Sequence, residues 1–237
     1  MPRLGDIRQH PELKDKHDYE ERLERYQLRL LRLQQKMYQK QHRGICAFEG
    51  WDAAGKGGAI RRITEKLDPR GFKVYPISAP RPDEQGRHYL WRFWQKLPVP
   101  GELAVFDRTW YGRVLVERVE GFATKKEWRR AYDEINQFEK ELTDDGCPVI
   151  KIFFHITKAE QLRRFKEREK NPYKNWKITK EDWRNRKKWK EYERAIDEMF
   201  ERTDTGSAPW IVIPGNRKWY ARTQALKCVV ERLETGW

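Results

Sequence analysis

The sequence predicts a three-layer α/β fold: a five-stranded parallel sheet with helices on both faces. Three observations predict it. Short apolar runs of strand length alternate with longer amphipathic segments along the chain, the order that builds parallel sheets through crossover helices. The run VIKIFFHI (149–156) is apolar at nearly every position, as befits a strand covered on both faces. A glycine-rich turn at 50–58 joins the first strand to the helix after it.

Taken in order, residues 1–17 read as an irregular arm. Residues 18–43 read as one long helix, because Tyr19, Leu23, Tyr26, Leu30, Leu33 and Met37 recur at spacings of three and four. ICAFEG (45–50) is the first strand, and 52–67 a helix entered through the glycine-rich turn. FKVYPIS (72–78) is the second strand, rich in β-branched and aromatic residues. Residues 79–100, framed by prolines, form an insert. ELAVFD (102–107) is the third strand. Residues 124–143 are helical, with Trp128, Tyr132, Ile135 and Phe138 on one stripe. After the fourth strand come helices at 158–169 and 180–202, a fifth strand WIVIP (210–214), and a closing helix at 218–234. With 237 residues, no internal repeat and no Gly/Ser linker, the chain reads as one domain, 1–237, with lid-like inserts at 79–100 and 158–190.

Aromatic residues make up 13% of the chain, with 11 tryptophans, too many large apolar side chains for a disordered polymer. The formal net charge is +14, which points to an anionic partner: nucleic acid, an acidic membrane surface or a polyphosphorylated ligand. Cys46, Cys147 and Cys228 are far apart and odd in number, so buried free thiols in a reducing compartment are expected. No apolar stretch approaches the roughly 18 residues a membrane span needs, and the first residues lack an apolar signal core. A soluble, cytoplasmic protein is expected.

Gly50-Trp51-Asp52-Ala53-Ala54-Gly55-Lys56 spells GxxxxGK between a strand and a helix. Glycines let the backbone curl so that successive N–H groups point inward, and the helix N-terminus adds a positive dipole end. Ala53, Ala54, Gly57 and Gly58 complete the phosphate cradle, and Lys56 brings a point charge to a β or γ phosphate. The residue after the lysine is usually Ser or Thr, whose hydroxyl holds Mg²⁺; here it is Gly57. Asp52, within the loop, supplies a hard oxygen instead. Asp107, at the end of an apolar strand, is placed to face the same phosphates and metal. Arg108, Arg113 and Arg118 follow within eleven residues of that strand end, and the planar guanidinium suits phosphate oxygens two at a time. Glu117 is read as the i+4 partner of Arg113.

From Arg163 to Lys190 there are thirteen Lys/Arg and four Asp/Glu, a net of +9 in 28 residues, with Trp176, Trp183 and Trp189 among them. The insert at 79–100 adds Arg81, Arg87, His88, Arg92 and Lys96. Both stretches are read as lids that exclude water from a transferred phosphate.

GWDAAGKGGAI (50–60), HYLWR (88–92), FDRTWYGR (106–113) and VERVEGF (116–122), with RFKEREKNPYKNWKIT (164–179) and APW (208–210) after them, together resemble the type-2 polyphosphate kinases from about residue 15 onward. The resemblance implies a P-loop kinase-like fold with a helical lid. It implies Mg²⁺-dependent transfer from inorganic polyphosphate to nucleoside mono- or diphosphates. Asp52, Lys56 and Asp107 would then be catalytic, with Asp52 and Asp107 holding the metal. Gly50, Gly55, Arg61, Arg108, Arg113 and Arg118 would contact phosphate. Arg81, His88, Arg92, Lys174 and Lys177 would serve nucleotide and lid. RTWYGRVLVERVEGF resembles the branch that converts AMP to ADP, with ADP to ATP as a further reaction. A homo-oligomer is expected, and nucleic acid is disfavoured as a partner. Two other readings share the loop: an ATP-dependent nucleoside or nucleotide kinase, and a polyanion- or nucleic-acid-binding module with an inactive loop.

Overall fold

The computed structural model describes residues 2–9, 13 and 15–236. Helix α1 (Lys16–Lys40) begins at Asp15, whose side chain accepts from the Asp18 amide, and it ends at Gln41 in the left-handed region. It therefore starts two residues and stops three residues earlier than the 18–43 expected, because the cap residues rather than the apolar stripe set its ends. Strand β1 (Gly44–Gly50) leads into α2 (Lys56–Thr64). The loop between them is not helical, so the second helix is shorter than 52–67. Strand β2 (Phe72–Pro76) follows, and the insert after it carries a single helical turn, α3 (Trp91–Trp94). Strand β3 (Leu103–Asp107) precedes a 3₁₀ turn at Trp110–Arg113 and the short α4 (Val116–Val119). Helix α5 (Lys125–Asp144) opens with a capping box between Thr124 and Glu127.

Strand β4 (Val149–His155) is buried throughout. It leads to α6 (Lys158–Glu169), a 3₁₀ turn at Asn175–Lys177, α7 (Lys180–Lys187) and α8 (Trp189–Thr203). The single helix expected at 180–202 is thus two, broken at Lys188. Its ammonium donates instead to the Val119 carbonyl and pairs with Glu120. Strand β5 (Trp210–Pro214) and α9 (Lys218–Thr235) complete the chain.

All four strand pairings are parallel, in the order β2-β3-β1-β4-β5. Helices α1, α2 and α9 pack together over one face, and α5 and α8 pack on the other. The expected three layers and five strands are all present. β1 is the middle strand, and the chain turns toward β2 on one side and β4 on the other, so the carboxyl end of β1 opens at a switch point. The arm at the N-terminus is less irregular than expected: Leu4 is buried, its amide donates to Asp197, and Gln9 donates to the His155 carbonyl. All three cysteines are buried and free, and burial pushes the Cys147 thiol up to about 12. Among the described residues no helix is long and apolar enough to cross a membrane.

A polar network lies wholly inside. Lys151, in the middle of β4, donates to Glu139 of α5, to the Tyr111 hydroxyl and to the Thr203 carbonyl at 2.6–2.9 Å. Glu139 also accepts from the Trp110 indole and the Tyr111 hydroxyl. This satisfied network fixes both aromatic residues beside the end of β3.

Candidate functional site: a phosphate loop and two cavities

The loop after β1 is held by its surroundings in a conformation few residues adopt. Gly50 has φ +147°, and a Cβ there would lie 2.5 Å from the Phe154 carbonyl oxygen of the neighbouring strand. No other residue type fits. Ala53, with φ +61°, sits in the left-handed region without being glycine. Such a residue costs roughly 1–2 kcal/mol and persists where tertiary contacts impose it.

Arg164 of α6 supplies those contacts. Its guanidinium, 3% exposed, donates to the Ala53 and Ala54 carbonyls at 3.0 and 2.8 Å and to the Gly215 carbonyl at 2.6 Å. Glu160 balances its charge at 2.6 Å. The Trp51 and Ala54 amides donate to the Phe154 and Trp51 carbonyls, and with the Ala53 and Ala54 carbonyls drawn outward the remaining loop amides are left to face the cradle.

Lys56 is buried at the start of α2, and its ammonium donates to the Gly50 carbonyl at 2.8 Å. The Asp52 carboxylate is held from two sides, by Arg108 at 3.4 Å and by the Asn185 amide at 3.1 Å. An Asp107 carboxylate oxygen lies 4.0 Å from the place a Cβ would occupy at Gly57. That is the position where the loop lacks its usual hydroxyl, so the acid from β3 covers the gap.

Arg108 also has positive φ, +67°. Its amide donates to the Phe48 carbonyl, and the next residue, Thr109, donates through both its N–H and its hydroxyl to Glu49 at 2.8 Å. Glu49 is buried, and that burial pushes its carboxyl up despite the nearby Lys56. Trp51 lies flat against Trp189, ring centroids 3.7 Å apart, and its indole donates to Nδ1 of His155. Burial lowers the His155 imidazole to about 4.

Two cavities meet here. The smaller, about 80 Å³, lies behind the loop between Glu49, Trp51, Asp52 and helices α7 and α8. The larger, about 850 Å³, runs beneath the 79–100 insert and is lined by Arg87, His88, Arg92, Arg108, Arg113 and Arg184 among others. Arg108 lines both.

The expected site residues divide accordingly. Asp52, Lys56, Asp107, Arg108 and the loop residues Gly50, Ala53, Ala54, Gly55, Gly57 and Gly58 come together. His88, Arg92 and Arg113 reach the larger cavity. Arg113 pairs with Glu117 at 3.1 Å, as its spacing implied. Arg118 points elsewhere: it bonds Tyr132 and Glu198 and lies over the Trp128 ring. Arg81 pairs with Asp83 and Glu84. Lys174 and Lys177 stand exposed around the 3₁₀ turn, with Lys177 over Trp176. Arg61 is exposed on α2. None of these five lines either cavity.

Sequence reasoning missed Arg164, Glu49, Asn185 and the Trp51–His155 bond. Only Glu49 carried a local signal, an acid ending a buried strand one residue before the loop.

The model of a family described as Polyphosphate kinase 2 matches residues 13–236. A polyphosphate:AMP phosphotransferase of Pseudomonas syringae pv. tomato is 51% identical over 219 residues, 92% of this chain and 44% of that protein. One of the same name from Acinetobacter johnsonii is 55% identical over 190 residues, 80% of this chain and 40% of that protein. The chain thus spans under half the length of these two relatives. The crystal structure of Polyphosphate Kinase 2 from Arthrobacter aurescens TC1 superposes with a TM-score of 0.93 at 33% identity, covering 98% of this chain and 84% of the other.

Proposed function

The chain belongs to the Polyphosphate kinase 2 family, and from that premise we propose that it moves the terminal phosphoryl group of inorganic polyphosphate onto a nucleotide, with AMP as the acceptor and ADP as the product. Relatives 51% and 55% identical to this chain, named polyphosphate:AMP phosphotransferases, favour that acceptor. The observation that carries the reading is one side chain, Arg108, shared between a phosphate loop and a cavity of about 850 Å³ lined by further guanidinium groups. A phosphate on the loop and a phosphate in the cavity would both lie within its reach.

The donor's terminal phosphate would rest on the loop amides and Lys56, and the nucleotide's phosphate among Arg92, Arg108 and Arg113. The attacking oxygen of a nucleotide phosphate is anionic at neutral pH, so no strong general base is needed. The work of the site is positioning and neutralising charge. Asp52 and Asp107 would hold Mg²⁺. Among the described residues no group of three His, Cys, Asp or Glu side chains could do so. This fits an ion usually held by one or two carboxylates plus substrate phosphates and water. When bound, magnesium would offset the charge of the phosphates. Asp52 would first have to leave Arg108, which frees that guanidinium for phosphate. One phosphoanhydride replaces another, so the reaction would run both ways.

The test supplies polyphosphate, Mg²⁺ and either AMP or ADP to the 237-residue chain with no ATP present. ADP formed from AMP is the expected result. ATP formed only from ADP would move the acceptor, and no product from either would overturn the reading.

A further inference from the structure

We propose that Asn185 of α7 is a positioning residue that keeps Asp52 from closing into a full ion pair with Arg108, so that the carboxylate stays open to Mg²⁺ and the guanidinium to phosphate. The proposal rests on the roles given to Asp52 and Arg108 above.

Asp52 and Arg108 are opposite charges side by side, and each is needed for something else. Left to themselves, an arginine and a carboxylate close into a fork of two parallel hydrogen bonds of about 2.7–2.9 Å. Here they do not. Arg108 reaches a single oxygen, Oδ1, through Nη2, and that contact is long, at 3.4 Å. The other oxygen, Oδ2, is taken by Nδ2 of Asn185 at 3.1 Å. Among the described residues these are the two partners of the Asp52 side chain. An amide suits this task because it is neutral. It holds the carboxylate without repelling a cation, so a metal at Oδ1 would displace Arg108 and leave Asn185 in place. Without Asn185, both oxygens would be free to turn to the guanidinium, and metal and phosphate would each have to break the closed pair.

The amide is itself fixed. An ionised carboxylate only accepts, so Nδ2 faces Asp52 and Oδ1 is left for the Tyr192 hydroxyl, which donates to it at 3.3 Å. Asn185 is in the last turn of α7 and Tyr192 in the first turn of α8, so this bond spans the break at Lys188. Glu120 secures the break from the other side. Its side chain is 4% exposed and pairs with Arg184 at 2.9 Å and Lys188 at 3.0 Å, the cations before and after Asn185. The Tyr192 hydroxyl lies 3.4 Å from the same acid. Glu120 ends α4, whose Val116 and Glu117 line the larger cavity. The hold on Asp52 is therefore anchored in the wall of the cavity assigned to the acceptor.

The test is Mn²⁺ binding, followed by electron paramagnetic resonance of the free ion, to the 237-residue chain and to Asn185→Leu, Arg108→Gln and the double variant, with no phosphate present. Leucine is close to asparagine in shape and donates nothing. Asn185→Leu is expected to lose about tenfold in Mn²⁺ affinity, the order of the one charge-assisted hydrogen bond that the competing pair gains. Arg108→Gln removes the competitor, so in that background Asn185→Leu should change the affinity by no more than about twofold. That recovery also shows the double variant to be folded. Tyr192→Phe, which frees the amide to turn, should give a smaller loss in the same direction, and only with Arg108 present. A merely structural contact would cost the same in both backgrounds, and equal losses would overturn the proposal, as would no loss in either. Wild-type protein that binds no Mn²⁺, or Asp52→Asn that binds it as the wild type does, would overturn the metal assignment itself. Binding that is lost in Asp52→Asn and untouched in Asn185→Leu would overturn only the role of Asn185.

Discussion

Acidification should weaken this fold through one histidine. His155 ends β4, is 8% exposed, and accepts the Trp51 indole N–H on Nδ1. Burial lowers its pKa from the ordinary 6.5 to about 4. Between those values the unfolded chain takes up a proton that the native chain refuses, so stability rises with pH and is lost as pH falls from about 6.5 to 4. The gap between 6.5 and about 4, at 1.36 kcal/mol per pH unit, corresponds to about 3 kcal/mol. Protonation would also set an imidazolium N–H against the indole N–H, and so release the tryptophan that stacks on Trp189 and begins the loop. The assay is urea unfolding of the wild type and of His155→Gln, whose amide oxygen can still accept from Trp51, at steps from pH 7 to pH 4. Glu49, raised by burial, contributes the opposite slope near the acid end, and it cancels when the two proteins are subtracted. The wild type should lose about 3 kcal/mol relative to the variant over that range. A difference that stays flat with pH would refute the argument. So would an NMR titration placing the His155 midpoint near 6.5.

Lys56→Ala and Asp52→Asn should each lower kcat by orders of magnitude with the unfolding midpoint little changed if, as proposed, both act on the transferred phosphate; a near-normal kcat would remove them from the site. Glu139→Ala leaves the Lys151 ammonium buried among Tyr111 and the Thr203 carbonyl, and should cost about 3–5 kcal/mol in chemical denaturation. Arg164→Met removes the donors to Ala53, Ala54 and Gly215; protease cleavage within the loop should speed up markedly, and an unchanged cleavage rate would show that the loop holds its own shape.

The parts of the site legible in the sequence are those whose geometry is local. GxxxxGK declares its loop because strand, glycines and helix are consecutive. Asp107 declares itself by ending an apolar strand, and the Arg113–Glu117 pair by its spacing of four. The break at Lys188 was hidden because α7 and α8 share one run of helix-forming residues, and what ends the first helix is a contact to Glu120 on another element. Lys151 was a different kind of clue. A lysine inside VIKIFFHI contradicts a strand buried on both faces unless an acid waits inside, but nothing local says that the acid is Glu139.

The basic stretch at 163–190 shows most clearly why charge counting overreaches. Read as a run, every cation there is a candidate for phosphate. In the fold, Arg164 ties down loop carbonyls from more than a hundred residues earlier, Arg186 holds Gln161 and the Lys158 carbonyl, and Arg184 and Lys188 share Glu120. These four are engaged before any ligand arrives. Arg168 in the same stretch, and Arg222 and Arg61 outside it, make no side-chain hydrogen bond or ion pair among the described residues. A cation's availability depends on whether an acceptor already meets it in three dimensions, and that is set by partners distant in sequence. The net charge of +14 therefore points to the sign of a ligand's charge and no further, while the residues free to bind it are found only by subtracting those the fold has already paired.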